Sequence, residues 1–287
     1  MDSPWTDLID DAAVFPPGDA DLGDAVAAYL RRGGAARDLV ASFVVTDERV
    51  PEVRRLAESA DPGAEVPVSV VVTGGAGAVA GACRLAGRGG TPLHALEVAL
   101  RDPDDLAGNA RRVVLAVDQA RAEGLLDEQV PVYVELPQAE TTGGWLATAD
   151  EVAAAELRLK FRTGGVEAHL FPTSYTLATW IDAALDRETP FKCTAGLHHA
   201  VGRLDPATGF AHHGFLNVLL ATRAAFDGAG RDEVTGLLEQ QDGSALVARA
   251  GREDLAGARR WFTSFGSCSV EEPLSDLVTL GLVEEGR

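Results

Sequence analysis

Lysine occurs only twice in this chain of 287 residues, at 160 and 192, although Lys and Arg together number 25. Every other cation is arginine. A composition rich in Ala, Gly and Arg accounts for arginine at ordinary surface positions, which makes two retained lysines more informative. Arginine matches lysine as a surface charge, but it forms no imine and does not readily lose its proton in a pocket. A lysine whose pKa is lowered by burial or by a second ammonium is nucleophilic at neutral pH and condenses with carbonyls. The two stand in matching contexts, Leu157-Arg158-Leu159-Lys160-Phe161-Arg162-Thr163-Gly164-Gly165 and Pro190-Phe191-Lys192-Cys193-Thr194-Ala195-Gly196. Each reads as a short buried strand ending in a polar turn. On neighbouring strands, about 4.8 Å apart, the amines would stand at similar heights and Lys192 would lower the pKa of Lys160. Taken alone, the lysines leave imine chemistry and plain binding of an anionic group equally open.

The elements that must position them alternate regularly. Short Val- and Phe-rich runs at 8–14, 39–45, 66–72, 93–100 and 130–136, the two lysine stretches, and 261–265 are each followed by a helical pattern. The helices fall near 22–32, 47–59, 76–85, 104–121, 149–155, 174–186, 214–226, 232–258 and 272–280. Eight strand–helix units predict an α/β fold, a (β/α)8 TIM barrel forming a single domain over 1–283, with 284–287 a loose C-terminal tail. An open doubly wound sheet uses the same units, but no Gly-x-Gly-x-x-Gly follows the first strand. Alternate strand residues face opposite sides. Parity puts Ser42, Val44 and Thr46, Ala95, Glu97 and Ala99, Tyr133 and Glu135, Lys160 and Arg162, and Lys192 and Thr194 on the barrel's inner face. Glu97, Glu135, Lys160, Arg162 and Lys192 then gather near the strands' C-terminal ends, where barrel enzymes do their chemistry. Glu97 and Glu135 read equally as general acid/bases or as charge partners for buried amines. Asp10 and Asp11 end the first run, and one of them must face outward or cap something.

A formal net charge of −19 repels nucleic acid and anionic membrane and leaves room for a small anionic substrate in a local cationic pocket. No apolar stretch approaches the roughly 20 residues of a membrane helix, and no leader pattern opens the chain. Cys83, Cys193 and Cys268 lack metal-type spacing and cannot all pair, which suits a reducing, cytoplasmic setting. No cofactor and no metal are required on the lysine route, and a homo-oligomer is left open.

Three short motifs carry a family likeness. Lys160-Phe161-Arg162-Thr163-Gly164-Gly165 resembles the sixth-strand Lys-Thr-Ser-Thr-Gly signature of class I (Schiff-base) deoxyribose-phosphate aldolases. Phe191-Lys192-Cys193-Thr194-Ala195-Gly196-Leu197 is similar to their seventh-strand Val-Lys-x-x-Gly-Gly-Ile pattern. Phe265-Gly266-Ser267-Cys268-Ser269 is similar to their eighth-strand Phe-Gly-x-Ser-Ser turn, which binds phosphate. The resemblance implies a lyase making or breaking a C–C bond, with Lys160 forming the Schiff base, Lys192 tuning it, and Gly266 and Ser267 holding an anionic group. The family's fourth-strand aspartate has Glu97 as its nearest counterpart. Arg162 and the His198-His199 pair depart from the family pattern and point away from deoxyribose phosphate itself.

Four of the six histidines, at 198, 199, 212 and 213, bracket a long loop after the seventh run. Such loops serve as lids or binding segments. His198 is read as a proton carrier, and His199 and His213 as substrate-binding, with Arg162, Thr163, Gly164, Thr194 and Gly196. A metal site using these histidines with Glu135 or Asp47 is an alternative, and His213 and Asn217, four apart, could project together. Glycine turns at 73–75, 163–165 and 266–267 could cradle phosphate or be ordinary turn chemistry. Two rivals to the aldolase reading stay open. One is a metal-dependent barrel lyase or hydrolase, the other a non-catalytic anion-binding barrel.

Overall fold

The computed structural model describes residues 3–284; residues 285–287 of the expected tail lie outside the described residues. Eight parallel strands, Ile9–Asp11 (β1), Val40–Thr46 (β2), Val68–Val71 (β3), Leu93–Ala99 (β4), Val132–Glu135 (β5), Arg158–Arg162 (β6), Phe191–Thr194 (β7) and Phe262–Ser267 (β10), alternate with helices. They close in the order β1-β10-β7-β6-β5-β4-β3-β2. The fold is a single-domain (β/α)8 barrel, and closure of β1 onto β10 removes the open-sheet alternative. The loop after β7 carries two further strands, Arg203–Leu204 (β8) and Ala211–His212 (β9), paired as an antiparallel hairpin.

Side-chain alternation decides what each strand buries. Phe161 on β6, Phe191 on β7 and Phe262 on β10 point outward and form a chain of rings, with centroids 5.2 Å and 5.6 Å apart. Phe161 also packs on Trp180 at 5.5 Å, and Trp180 lies parallel to Trp145 at 6.5 Å. Burying each such ring stabilises the fold by roughly 1.5–3 kcal/mol. This belt clamps β6 and β7 against the helices Gly143–Ala154 and Ser174–Leu185, and so fixes the two strands that carry the lysines. Thr142 and Thr173 cap those helices, their hydroxyls accepting the N–H groups of Trp145 and Thr176.

Several boundaries differ from the sequence expectation: the first strand ends at Asp11, and the helix expected near 149–155 begins at Gly143, after the Thr142 cap. The helical stretch 232–258 is three helices, Arg231–Glu239, Gly243–Ala250 and Leu255–Ala258, because Asp242 and Asp254 each cap a new start. The last strand runs on through Ser267, so Gly266 and Ser267 belong to β10 and the turn begins at Cys268.

Candidate active site

Strand register brings the lysines side by side. Lys160 on β6 pairs with Lys192 on β7, and Glu135 on β5 pairs with Lys160. Of the inward set named by parity, Val44, Glu97, Ala99, Glu135, Lys160, Arg162 and Thr194 line a cavity of about 410 Å³ at the C-terminal ends of the strands, whereas Ser42, Thr46, Ala95, Tyr133 and Lys192 do not. A second hollow, about 450 Å³, opens at the opposite end of the barrel. It lies away from both lysines, and its Arg259 is bound to backbone carbonyls, including those of Pro4, Thr6 and Asp7.

The inner charges form one continuous chain. Lys192 Nζ donates to Asp10 Oδ2 and to Glu97 Oε1, each at 2.6 Å. Lys160 Nζ lies 2.6 Å from Glu97 Oε2 and 2.8 Å from Glu135 Oε2. Glu135 Oε1 accepts from Arg162 Nε at 3.0 Å. Asp10 also accepts from Ser42 Oγ at 2.5 Å and Ser264 Oγ at 2.6 Å. Lys192 Nζ stands 5.2 Å from the centroid of the Tyr133 ring, a further cation-stabilising contact. Lys192 is 1% exposed, Glu97 2% and Lys160 4%. Burial of this depth is tolerable only because the charges alternate in sign. Lys160 is in the cavity wall, whereas Lys192 stands behind it.

The expected lowering of the Lys160 pKa does not hold in this arrangement. Burial acts against its charge and is the largest single influence. The Glu135 and Glu97 carboxylates, with their hydrogen bonds, outweigh it and hold the ammonium above its ordinary range. Lys192 is raised as well, burial again being overcome by Asp10 and Glu97. The reason is intercalation: Glu97 stands between the two amines, so neither faces a bare like charge. For Glu97 itself burial favours protonation, but the two lysines prevail and bring it down to about 2. Glu135 is lowered too, as Lys160 and Arg162 overcome its burial.

The remaining sequence-predicted residues divide. Thr194, Gly196, Gly266 and His198 line the cavity with Arg162. Thr163 is buried and its Oγ1 donates to Ala195 O at 2.6 Å. Gly164 packs against the next strand's end, where an added Cβ would come within 2.7 Å of Gly196 Cα. The Ser267 hydroxyl donates to Ser269 O at 2.6 Å and accepts the Ser269 N–H. His199 pairs with Asp276 at 3.1 Å and His213 with Pro172 O at 2.8 Å. Asn217 does not project with His213; it accepts from Gly202 N and donates to Leu237 O and Gln240 O, tying down the loop. Thr163, Gly164, His199, His213 and Ser267 are therefore outside the wall. Asp47, offered as a metal partner, accepts from Thr73 Oγ1 at 2.8 Å. Among the described residues no group of three or more His, Cys, Asp or Glu is placed to hold a metal ion.

Sequence reasoning missed Arg101, and it named Asp10, His212 and Cys268 without giving them a place in the site. Asp10 had a signal, since an Asp-Asp pair at a strand end sends one carboxylate each way. Asp10 joins the lysine chain, and Asp11 faces out to Arg32 at 2.5 Å. His212, delivered by the hairpin, packs on the Phe171 ring at 4.6 Å and enters the wall. Burial pulls its pKa down. His198 Nδ1 lies 2.8 Å from Glu272 Oε2. Cys268 Sγ is 3.6 Å and 3.9 Å from the two ring nitrogens of His198. Near-equal distances put the sulfur beside the ring rather than on either nitrogen's axis, which is not the geometry of an activated nucleophile.

No family model matches the chain, and no curated protein matches it. Among solved structures it is similar to the deoxyribose phosphate aldolase from Aeropyrum pernix, described as having a unique tetrameric structure. The TM-score is 0.56 with 14% identity over 99% of this chain and 94% of that one, a likeness of fold.

Proposed function

We propose that the protein is a Schiff-base lyase of the aldolase type that makes or breaks a C–C bond in a small carbonyl metabolite. The observation that carries this reading is the pairing of the chain's only two lysines across β6 and β7, bridged by one carboxylate, at the floor of a cavity. In this reading Lys160, the amine in the cavity wall, is the nucleophile. Its ammonium gives a proton to Glu135, the more accessible of its two carboxylates, and the freed amine adds to the substrate carbonyl. Return of a proton to the carbinolamine oxygen releases water and leaves an iminium. In cleavage Glu135, having returned its proton, takes that of a β-hydroxyl, the β-carbon leaves as a carbonyl compound, and the iminium accepts the Cα–Cβ electron pair as an enamine. In synthesis the enamine donates that pair to an acceptor carbonyl, which takes the proton back. Lys192 and Asp10 keep Glu97 ionised beside the iminium, so the positive charge has a fixed counter-ion throughout. Arg162 and His198 flank the substrate at the mouth.

The anion-binding alternative is disfavoured by a specific contact. The Lys160 ammonium is already saturated by two internal carboxylates at 2.6 Å and 2.8 Å, so it has little charge to offer a bound anion. The four loop histidines go to four separate partners rather than to a common point, which weakens the metal alternative. The deciding experiment is borohydride reduction in the presence of small aldehydes and ketones, followed by peptide mapping. A reduced adduct on Lys160 is expected. Turnover of a substrate that leaves no adduct on either lysine would sink the mechanism.

A further inference from the structure

The cavity around Lys160 also says what kind of carbonyl compound it fits. The phosphate expected at the β10 turn meets three obstacles. The Ser267 hydroxyl is closed on Ser269 as both donor and acceptor. The helix that follows, Glu271–Thr279, opens with Glu271 and Glu272, which place negative charge where a phosphate would use the helix N-terminus. Glu272 reaches the mouth itself, 2.8 Å from the wall residue His198. The charge balance of the wall agrees. Among the residues lining the cavity Glu97 and Glu135 stand against Lys160, Arg162 and Arg101, an excess of one positive charge before Glu272 at the mouth is counted. A phosphate ester brings about −1.5 to −2 at neutral pH and would overshoot it; one carboxylate matches it.

Much of the rest of the wall is hydrocarbon, broken by Thr194, His198, His212 and Cys268. Phe15, Pro16, Pro17, Val71, Val166 and Leu170 line the cavity between the floor lysine and the rim. A polyhydroxylated chain would lose water there without replacement hydrogen bonds, whereas an alkyl chain gains by leaving water. Arg101, exposed on the loop after β4, has no carboxylate within ion-pair distance among the described residues and lines the same cavity.

We infer that this site takes an apolar-bodied carbonyl compound bearing a single carboxylate, an oxo acid rather than a sugar phosphate. The carbonyl reaches Lys160, the hydrocarbon body lies on the Phe15–Pro17 and Val166–Leu170 walls, and the carboxylate meets Arg162 and Arg101 at the rim. The inference rests on the Schiff-base reading for the role of Lys160, but not for its preference in ligand.

The test uses the full chain and two independent readouts. Borohydride trapping is titrated with 6-oxohexanoate, hexanal and 4-oxobutyl phosphate. Half-maximal adduct on Lys160 is expected at a concentration about tenfold lower for 6-oxohexanoate than for the phosphate, with hexanal between them. Calorimetry then compares two unreactive ligands, hexanoate and butyl phosphate, with hexanoate expected to bind more tightly. Arg101→Gln is expected to narrow the advantage of 6-oxohexanoate over hexanal severalfold. The inference is overturned if the phosphorylated probe matches or exceeds the oxo acid, if hexanal matches it, or if butyl phosphate is the tighter unreactive ligand. Trapping by none of the three aldehydes retires the imine, and the calorimetric ranking alone then decides the ligand class.

Discussion

At the scale of single residues, Lys160 and Lys192 differ in what surrounds them although they share a level in the barrel. Lys160 has the cavity on one side and two carboxylates on the other. Lys192 is sealed between Asp10, Glu97 and the face of Tyr133. Substituting arginine therefore tests different things at the two positions. Lys160→Arg keeps a cation for Glu97 and Glu135 and has cavity space to extend into, so the protein should fold while the borohydride adduct disappears. Mass spectrometry of the trapped protein and a circular dichroism melt read the two effects separately; an adduct persisting at position 192 in this variant would reassign the nucleophile. The raised pKa of Lys160 gives a second expectation. Because Lys160 passes its proton to Glu135 rather than to solvent, the reactive pair keeps the resting protonation state between the lowered Glu135 and the raised Lys160. The initial rate of trapping should accordingly stay flat from pH 6 to pH 9, measured with one aldehyde at fixed concentration. A climb of about tenfold per unit over that range would mean that the amine loses its proton to solvent and not to Glu135.

At the scale of elements, the ends of β6 and β7 are held together by a glycine contact rather than by ligand-facing turns. Gly164 and Gly196 approach so closely that a Cβ on Gly164 would meet Gly196 Cα at 2.7 Å and the Phe171 ring edge at 2.9 Å. Gly164→Ala should force the strand ends apart, at a stability loss of about 1–3 kcal/mol. Trapping efficiency should fall further than that loss explains, because Arg162 and Thr194 sit directly at the displaced ends. Comparing denaturant midpoints with adduct yields at saturating aldehyde separates the two; unchanged yield would confine the contact to packing. The element scale is also where the sequence was most informative. Period-two alternation identifies inner and outer faces because the charges of RLKFR fall only at alternate positions, while Glu97 in LHALEVA and Ser42 in VASFVVT each stand between apolar neighbours. It could not identify Arg101, which reaches the cavity from a loop, and it could not say that His212 would be turned inward by a hairpin, since no periodicity there binds side-chain direction to sequence. It left the 163–165 glycines open between a phosphate cradle and an ordinary turn, whereas the reason for Gly164 is backbone proximity, a three-dimensional property that leaves the same letter in the sequence as a turn does. The two lysines were conspicuous by rarity, but the carboxylate inserted between them reverses their expected pKa shift. That depends on the reach of Glu97 toward both, which neighbour spacing alone does not encode.

At the scale of the whole molecule, the buried ionic chain crosses the barrel from β1 to β6 and links the site to stability. Its effect has a definite sign with pH. Glu97 is held at about 2 in the folded protein against an ordinary value of 4.5. A depressed carboxylate contributes stability above its unfolded pKa and loses it as pH falls through the folded value. The difference corresponds to about 3 kcal/mol, at 1.36 kcal/mol per unit. The lysines are raised, so their contribution is complete below 10.5 and fades only above it. The chain of charges should therefore be fully effective between about pH 5 and pH 10. The formal charge of −19 complicates any direct reading, since acidification also relieves self-repulsion among surface carboxylates. Comparison with Glu97→Gln cancels that background, because the surface is the same in both proteins. At pH 7 the variant should be less stable by about 3 kcal/mol. The gap should begin to close below pH 4.5 and be roughly halved near pH 3 as the wild-type Glu97 advantage is titrated away. Urea unfolding of the two proteins at pH 7, 5, 4 and 3 measures this directly. A gap that stays constant over that range would show that the two lysines do not hold the Glu97 carboxylate below its ordinary pKa. The same variant should lose turnover more than trapping, since two facing ammonium groups lower the Lys160 pKa and free its amine while the iminium loses its counter-ion.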